Sequence, residues 1–501
     1  MKHLYFFKSI CLFLCAALLF ACSGCSLLPN AEKTGLFSDY TIPDPERNFL
    51  RYDVVVVGAG IAGLTAALTA AEAGARVAVI EKMPTIGGNS LYSSGTFNSL
   101  DPVRQEAQGI EDSLELFLKQ TYEGGGEAGN PDLIALLCEN SASARDWLEN
   151  RGVVWSKRGV YLSAGGAWPR SLDAADGAFQ SLILPLAKAL SAAGGEIIRD
   201  YRALALIRDS GRIVGVRAAQ TETGEQHSFF VTGGVILATG GFGSNEEMIR
   251  QYCADIPEQA EPETTPAATG DGILMALRVG AALVDMEYVQ MVPGAAKNCI
   301  YFSSEIDSVI YVNAAGKRFT SEQLSNNELC KAILEQPGGV AYAIFDSSTI
   351  GEDFTDMAGR NLADIRALSE EGLCGYGEDL TALAENLGID AQALCDTVAE
   401  FNRIADGQAA DPFGREFFSR KLGNGPFYAS IRTARIHYTM GGLKINTSAQ
   451  VLNESGDVIP GLYACGEVTG GIHGKNHVSG NALADCVVFG RIAGKSALPQ
   501  E

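Results

Sequence analysis

Three apolar runs, unbroken rather than alternating, set the frame of this chain. Tyr52–Val57 reads YDVVVV, Arg76–Ile80 reads RVAVI, and Gly233–Gly241 reads GGVILATGG. Such runs suit strands covered on both faces, as inside a parallel sheet. Between the first two lies Leu64–Gly74, rich in alanine and closed by a glycine, which predicts a helix. A second period appears at Asp379–Phe401. There Leu380, Leu383, Leu387, Leu394, Val398 and Phe401 recur with polar positions between them, predicting a core-facing helix. The pattern predicts an α/β fold around a Rossmann-like unit.

The turn between the first strand and its helix is Gly58-Ala59-Gly60-Ile61-Ala62-Gly63, and Glu81 closes the second strand. This is the βαβ dinucleotide fingerprint in full context. Glycines let the backbone approach a pyrophosphate, the helix N-terminus stabilises its charge, and the acid accepts hydrogen bonds from a ribose diol. Further glycine-rich turns favour a flavin dinucleotide over NAD. They are Gly87-Gly88-Asn89-Ser90, then Ser94-Gly95-Thr96 with Asn98, and Gly461–Glu467 (GLYACGE).

Composition narrows the class. The chain has 501 residues, 57 of them glycine, and a net charge of −22 with no basic stripe. A nucleic-acid partner is therefore not expected. Lys2, His3 and Lys8 precede the apolar run Ile10–Ala21 and the small residues around Cys22 and Cys25. That is the layout of an export signal, and either cysteine fits a bacterial lipoprotein processing site. Residues 1–25 are expected to form a lipoprotein-type signal peptide and 26–50 a linker. The expected localisation is the bacterial cell envelope, lipid-anchored at the membrane or periplasmic. Eight of the twelve cysteines lie outside the leader, without CxxC spacing, and CxxCH occurs nowhere. Zinc-ribbon, thioredoxin and c-type haem readings are excluded, and no metal site is expected.

Several segments together resemble a known family. They are GAGIAG (58–63), GGNS (87–90), ATGG (238–241), TGDG (269–272), GKRF (316–319), HYTMGG (437–442), GLYACGEVTGG (461–471) and GNALADCVVFGR (480–491). Over residues 50–497 the chain is similar to the succinate dehydrogenase/fumarate reductase flavoproteins. In layout it is closest to the soluble fumarate reductases of the flavocytochrome c group and to urocanate and other enoate reductases. The resemblance implies non-covalent FAD in a domain split in sequence (51–285 and 436–501), with an α+β capping domain inserted at 286–435. It implies cofactor contacts at Gly58, Ala59, Gly60, Ala62, Gly63, Glu81, Lys82, Gly88, Asn89, Ser90, Ser94, Gly95, Ala238, Gly240, Asp271, Glu467, Asn481, Ala482 and Leu483. The small-molecule substrate would lie between the two domains. Arg170, in Trp168-Pro169-Arg170, resembles a segment near the flavin and is read as structural.

The chain departs from the family where a dicarboxylate would be gripped. The family's acid arginine, a few residues past GKRF and Glu322, falls at about Asn326, and no arginine occurs between Arg318 and Arg360. An amide cannot act as the acid. The carboxylate-clamping arginine of H-G-x-N-R is replaced by His477, which can donate a hydrogen bond or a proton near neutral pH. Tyr301, Phe302, Ser303, Ser304 and Glu305 bring no basic residue, and Val292-Pro293 stands where the family has His-Pro. His437 matches the family's substrate histidine. The expected substrate-side residues are therefore His437, His477, Asn326 and Tyr301.

The expected activity is reduction of the C=C bond of an enoate or enone other than fumarate. Electrons would come from a separate partner, whether a haem protein, an FMN protein or a quinone-linked one. Three alternatives remain open at this point. They are a dehydrogenase of ketosteroid-like or other saturated carbonyl compounds, a fumarate reductase proper, and a non-catalytic flavin- or ligand-binding lipoprotein.

Overall fold

The structure is a computed structural model that describes residues 49–499 apart from 94, 164, 303–308, 351–353, 355–359, 417 and 419. The expected signal segment, nearly all of the linker, Ser94 and Ser303–Glu305 lie outside the described residues. Among the described residues no helix is long and apolar enough to cross a membrane. None of their His, Cys, Asp or Glu side chains group in a way that could hold a metal ion.

The βαβ unit forms as its pattern requires. Strand Phe49–Val57 runs into helix Ile61–Glu72 and then strand Val77–Ile80. The two strands are parallel, with Val54 opposite Val77 and Val57 opposite Ile80. Strand Gln226–Leu237 pairs parallel on the other side, with Leu237 level with Val57. Strand Val458–Ala464 adds parallel to that. The eight-stranded sheet is completed by Glu196–Ile198 and Gln450–Leu452 at its two edges and by the hairpin of Tyr201–Asp209 and Arg212–Gln220. Val54, Val55 and Val56 are fully buried, as an unbroken apolar run predicts. The register brings the C-terminal ends of four strands to one edge, so Gly58, Glu81, Ala238 and Cys465 open on the same side. Ligands bind at such edges in open α/β sheets.

A second, six-stranded sheet is organised around the long strand Phe427–Thr439, which pairs with Val289–Ala295, Ala341–Asp346, Gly375–Gly377 and Glu261–Pro262. It has its own cores. Ile300, Phe302, Phe345 and Tyr428 pack in one, and Ile310, Ile344, Val398 and Phe401 in the other. Met286, Val289 and Ile436 instead join the large core of the first sheet.

The helix expected across Asp379–Phe401 is two helices, Leu380–Leu387 and Ala391–Ala405. Gly388 takes a left-handed conformation (φ 68°) and ends the first, while the Asp390 side chain caps the second by accepting from Ala393 N. A glycine C-cap followed by an acidic N-cap overrides the continuous apolar period.

GKRF is locked by charge. Arg318 Nε donates to Glu322 Oε1 (2.9 Å), and Arg318 Nη2 and Arg415 Nη1 reach Glu322 Oε2 (2.7 and 3.0 Å). Arg318 Nη1 also holds Asp411 at 2.5 Å. Glu322 is fully buried. Removing one partner of a buried pair strands the other charge and costs roughly 3–5 kcal/mol. Glu322→Gln is expected to lower stability by about that much, read from the denaturant midpoint. An unchanged midpoint would refute the role of this network.

Candidate active site

A cavity of about 1220 Å³ opens along the sheet edge and continues beneath the second sheet. Its first part is built from the glycine turn. Gly58 has φ of 106°, and a Cβ there would stand 2.2 Å from the Ala238 carbonyl oxygen. No side chain fits between these strand ends. Gly60 and Gly240 line the cavity, and a Cβ at either would meet nothing closer than 3.6 Å, so their bare backbone leaves room for a ligand. Helix Ile61–Glu72 begins there with no cap from the Gly60 position, and Ser90 Oγ accepts from Ile61 N at 3.3 Å. An open helix N-terminus beside bare glycine backbone is chemically suited to a pyrophosphate.

Glu81 takes Ala59 N on one oxygen (2.8 Å) and Met83 N on the other (2.9 Å). A carboxylate has further lone pairs for ribose hydroxyls. Lys82 donates to Thr269 Oγ1 (2.7 Å) and Asp271 Oδ2 (2.9 Å), and Asp271 also holds Arg202. Lys82 and Asp271 thus form an ion pair on the cavity wall. Asn89 Nδ2 donates to Glu467 Oε2 (2.7 Å), while Thr265 N donates to Asn89 Oδ1 (2.8 Å). Asn89 thereby ties three separate segments into one wall. Gly88, Asn89, Ser90, Ala62, Ala238, Ala482 and Leu483 all line the cavity. The residues present fit FAD.

Four expected cofactor contacts stand behind the wall rather than on it. The Ala59 amide is spent on Glu81. Gly63 packs its helix against the Gly58 carbonyl, where a Cβ would come to 2.0 Å. A Cβ on Gly95 would meet Ala174 at 2.7 Å. Asn481 bonds Asn98 (2.8 Å) and Thr121 (3.2 Å). These contacts position the lining and do not belong to it. Arg170 is fully buried, paired with Asp112 at 2.7 Å and lying over the Phe117 ring, which is a structural position.

The part beneath the second sheet gathers the four expected substrate-side residues. His437, His477, Asn326 and Tyr301 all line it. Asn326 opens helix Asn326–Leu334, whose start is fixed by a reciprocal capping box between Ser325 and Glu328. Its neighbour Asn327 pins that helix to the adjoining strand by accepting from Met291 N at 2.7 Å. His477 Nδ1 lies 3.3 Å from the Val478 carbonyl, which assigns the proton to Nδ1 and leaves Nε2, buried and unpartnered, as an acceptor. Tyr438 stands edge-on to His477, with ring centroids 4.7 Å apart.

Burial holds both cavity histidines neutral. It lowers the basicity of His437 and, helped by His473 and His437, pushes His477 down to about 3. His477 therefore gives up no ring charge near neutral pH, which corrects the expectation of a proton donor there. The stability consequence has a definite sign. An unfolded histidine takes a proton below about 6.5 and native His477 does not, so stability falls as pH drops from 6.5 towards 3, by at most about 1.4 kcal/mol per pH unit. His477→Gln is expected to flatten this slope in denaturant titrations between pH 7 and 5. An unchanged slope would exclude His477 as its source.

Several functional candidates were not anticipated. Arg432 lines the cavity and is only 3% exposed, although it is a cation. Its guanidinium lies 3.7 Å from the Tyr301 ring centroid, Nη1 donates to Pro293 O (3.1 Å) and Nη2 to Phe302 O (2.5 Å), and Nε has no partner. Tyr311, Phe345 and Phe354 make the wall around it aromatic, and Arg360 and Arg420 also face the cavity. Glu263 and Gln290 also line the cavity and belong to no motif.

Residues 53–483 match the protein family described as FAD binding domain. A urocanate reductase from Eggerthella lenta is 37% identical, covering 90% of this chain and 75% of the reductase. An NADH:acrylate oxidoreductase from Vibrio harveyi is 35% identical, covering 89% of this chain and 50% of that protein. The chain thus spans about half the length of that relative. Among solved structures, the open conformation of a flavocytochrome c3 fumarate reductase is similar at a TM-score of 0.71. It is 34% identical, with 89% of this chain and 78% of that one covered.

Proposed function

The chain belongs to the FAD-binding flavoprotein family of succinate dehydrogenase and fumarate reductase, and from that premise we propose that it reduces the C=C bond of a 3-aryl acrylate. The observation that carries this reading is a single buried guanidinium, Arg432, set among aromatic walls at the end of the cavity away from the glycine turn. Fumarate carries two carboxylates and no apolar body. An aryl acrylate carries one carboxylate and a ring, and so matches one buried cation, Arg432, and an aromatic wall, with Arg360 and Arg420 at less buried positions. The urocanate and acrylate in the names of two relatives are likewise unsaturated monocarboxylates.

FAD, when bound and reduced, supplies a hydride. Arg432 holds the substrate carboxylate and draws electron density from the conjugated alkene, leaving its β-carbon electron-poor. The guanidinium is preorganised by the Pro293 and Phe302 carbonyls, so little ordering is needed when the substrate arrives. Neutral His437 and His477 offer hydrogen-bonding nitrogens without adding charge. A neutral ketosteroid-like compound would leave the Arg432 charge unmatched, which disfavours the dehydrogenase reading. Electrons come from a separate redox partner at the bacterial envelope.

The test is anaerobic reoxidation of the dithionite-reduced flavoprotein by cinnamate, urocanate, acrylate, fumarate and methyl cinnamate. Aryl acrylates are expected to reoxidise it at least about tenfold faster than fumarate, a difference of about 1.4 kcal/mol in the barrier. Fumarate turning over as fast as cinnamate would overturn the assignment.

A further inference from the structure

Glu263 has no role in the site as described so far, yet its placement is unusual. Five carboxylates line the cavity among the described residues: Glu81, Asp173, Glu263, Asp271 and Glu467. Four are committed to donors. Glu81 takes two backbone amides, Asp173 takes Tyr161 and Thr96, Asp271 takes Lys82 and Arg202, and Glu467 takes Asn89 and Thr439. Glu263 alone among them has a buried oxygen, Oε2, with no hydrogen-bond partner. Its position is fixed by backbone. Glu263 N donates to Ile436 O at 2.7 Å, which sets residue 263 beside His437. Gly294 leaves space for the carboxyl, since a Cβ there would come within 1.7 Å of Glu263 Oε2. Thr265, two residues on, is bound to Asn89 of the cofactor wall. Glu263 therefore stands between the two ends of the cavity.

Resting on the reading of an aryl acrylate reductase, we propose that Glu263 is the general acid of that reaction, in place of the arginine absent at Asn326. As hydride from reduced FAD forms the new C–H bond at the β-carbon, the alkene π bond opens. Its electron pair takes the Glu263 proton at the α-carbon. The carboxyl O–H breaks, the carboxylate left behind is reprotonated from water, and the two electrons are replaced by the external electron donor.

Four neighbouring groups are unsuited by their chemistry. His437 and His477 are held neutral by burial, and burial raises Tyr438 and Tyr311 so that they keep their protons too firmly. Burial also raises the Glu263 carboxyl above the ordinary range, opposed by the Arg432 and Arg435 guanidiniums. The charged and titratable groups around it are Arg432, Arg435 and His437 on strand Phe427–Thr439 and Cys330 on helix Asn326–Leu334. The sign follows directly. The acid form exists below the raised pKa, so turnover is expected to fall as pH rises through it.

The test compares FAD-loaded parent, Glu263→Gln and Glu263→Asp proteins. The first readout needs no turnover. Infrared difference spectra on pH titration should show a protonated carboxyl band in the parent that is missing in Glu263→Gln. The second is binding of 3-phenylpropionate, followed by the flavin spectrum, which Glu263→Gln should leave within about threefold. The third is reoxidation by whichever alkene acts fastest on the parent. Glu263→Gln should slow it on the order of 100-fold or more and remove the pH dependence, with partial recovery in Glu263→Asp. A parent-like rate in Glu263→Gln, or no carboxyl band in the parent, overturns the acid role alone. A parent flavin that no alkene reoxidises overturns both this role and the reductase reading.

Discussion

Arg432→Met is expected to raise the KM for an aryl acrylate on the order of 100-fold while methyl cinnamate is reduced at nearly the parent rate. Arg432 is buried and unusually placed. Its Nη atoms are spent on two backbone carbonyls and its Nε has no partner inside the protein. A charge-assisted hydrogen bond to a carboxylate in such a place is stronger than one in water, and truncating one partner of a buried charge pair costs about 2–5 kcal/mol. A factor of 100 lies within that range. The ester lacks the anion, so it should not register the loss. Arg435→Met is the control. Arg435 is three residues along the same strand, but it pairs with Glu261 at 2.6 Å and does not line the cavity. If Arg432→Met slowed acid and ester equally, the guanidinium would be a strut for residues 293 and 302 and not the carboxylate anchor.

Gly58→Ala is expected to yield protein that folds but retains little FAD. The added methyl would lie 2.2 Å from the Ala238 oxygen and 2.8 Å from its carbon, both backbone atoms, so the neighbour cannot rotate away. The φ of 106° adds strain for any side chain, of about 1–3 kcal/mol. Relief requires the ends of strands Phe49–Val57 and Gln226–Leu237 to part, which misplaces the turn and the helix N-terminus together. FAD affinity should fall at least about tenfold, read from flavin absorbance per polypeptide and from FAD titration of the stripped protein. Gly74→Ala separates strain from site. Gly74 also has a positive φ of 89°, but a Cβ there meets nothing within 4 Å, so that variant should keep its flavin. Equal flavin content in the two variants would show that the close approach at Gly58 does not shape the cofactor site.

The local features were legible because they are short-range. YDVVVV followed by GAGIAG can be read as strand, turn and helix from a dozen residues, since the glycine requirement and the unbroken apolar period both act between neighbours in sequence. The same holds for Ser325 and Glu328, whose capping box lies within four residues. The error at Asp379–Phe401 was also local. Apolar spacing survived across Gly388 and Asp390, and only attention to paired capping residues would have divided it.

The substrate end was only partly legible, because its residues meet through long-range pairing. His437, His477, Asn326 and Tyr301 were found through motif likeness. Arg432, Glu263 and Gln290 sit in no motif themselves, although HYTMGG begins five residues after Arg432 and TGDG six after Glu263. The sequence alone determined the class of fold, the cofactor turn and the loss of an arginine at Asn326 and at His477. Only the tertiary structure decided what charge remained. Strand pairing brings Arg432 opposite Ala295 and sets Glu263 beside His437, and both line the cavity. Whether a charged side chain is an anchor, an acid or a solvated surface group depends on what buries it and which donors or acceptors it lacks. Those facts belong to packing between distant segments, which a linear pattern does not contain.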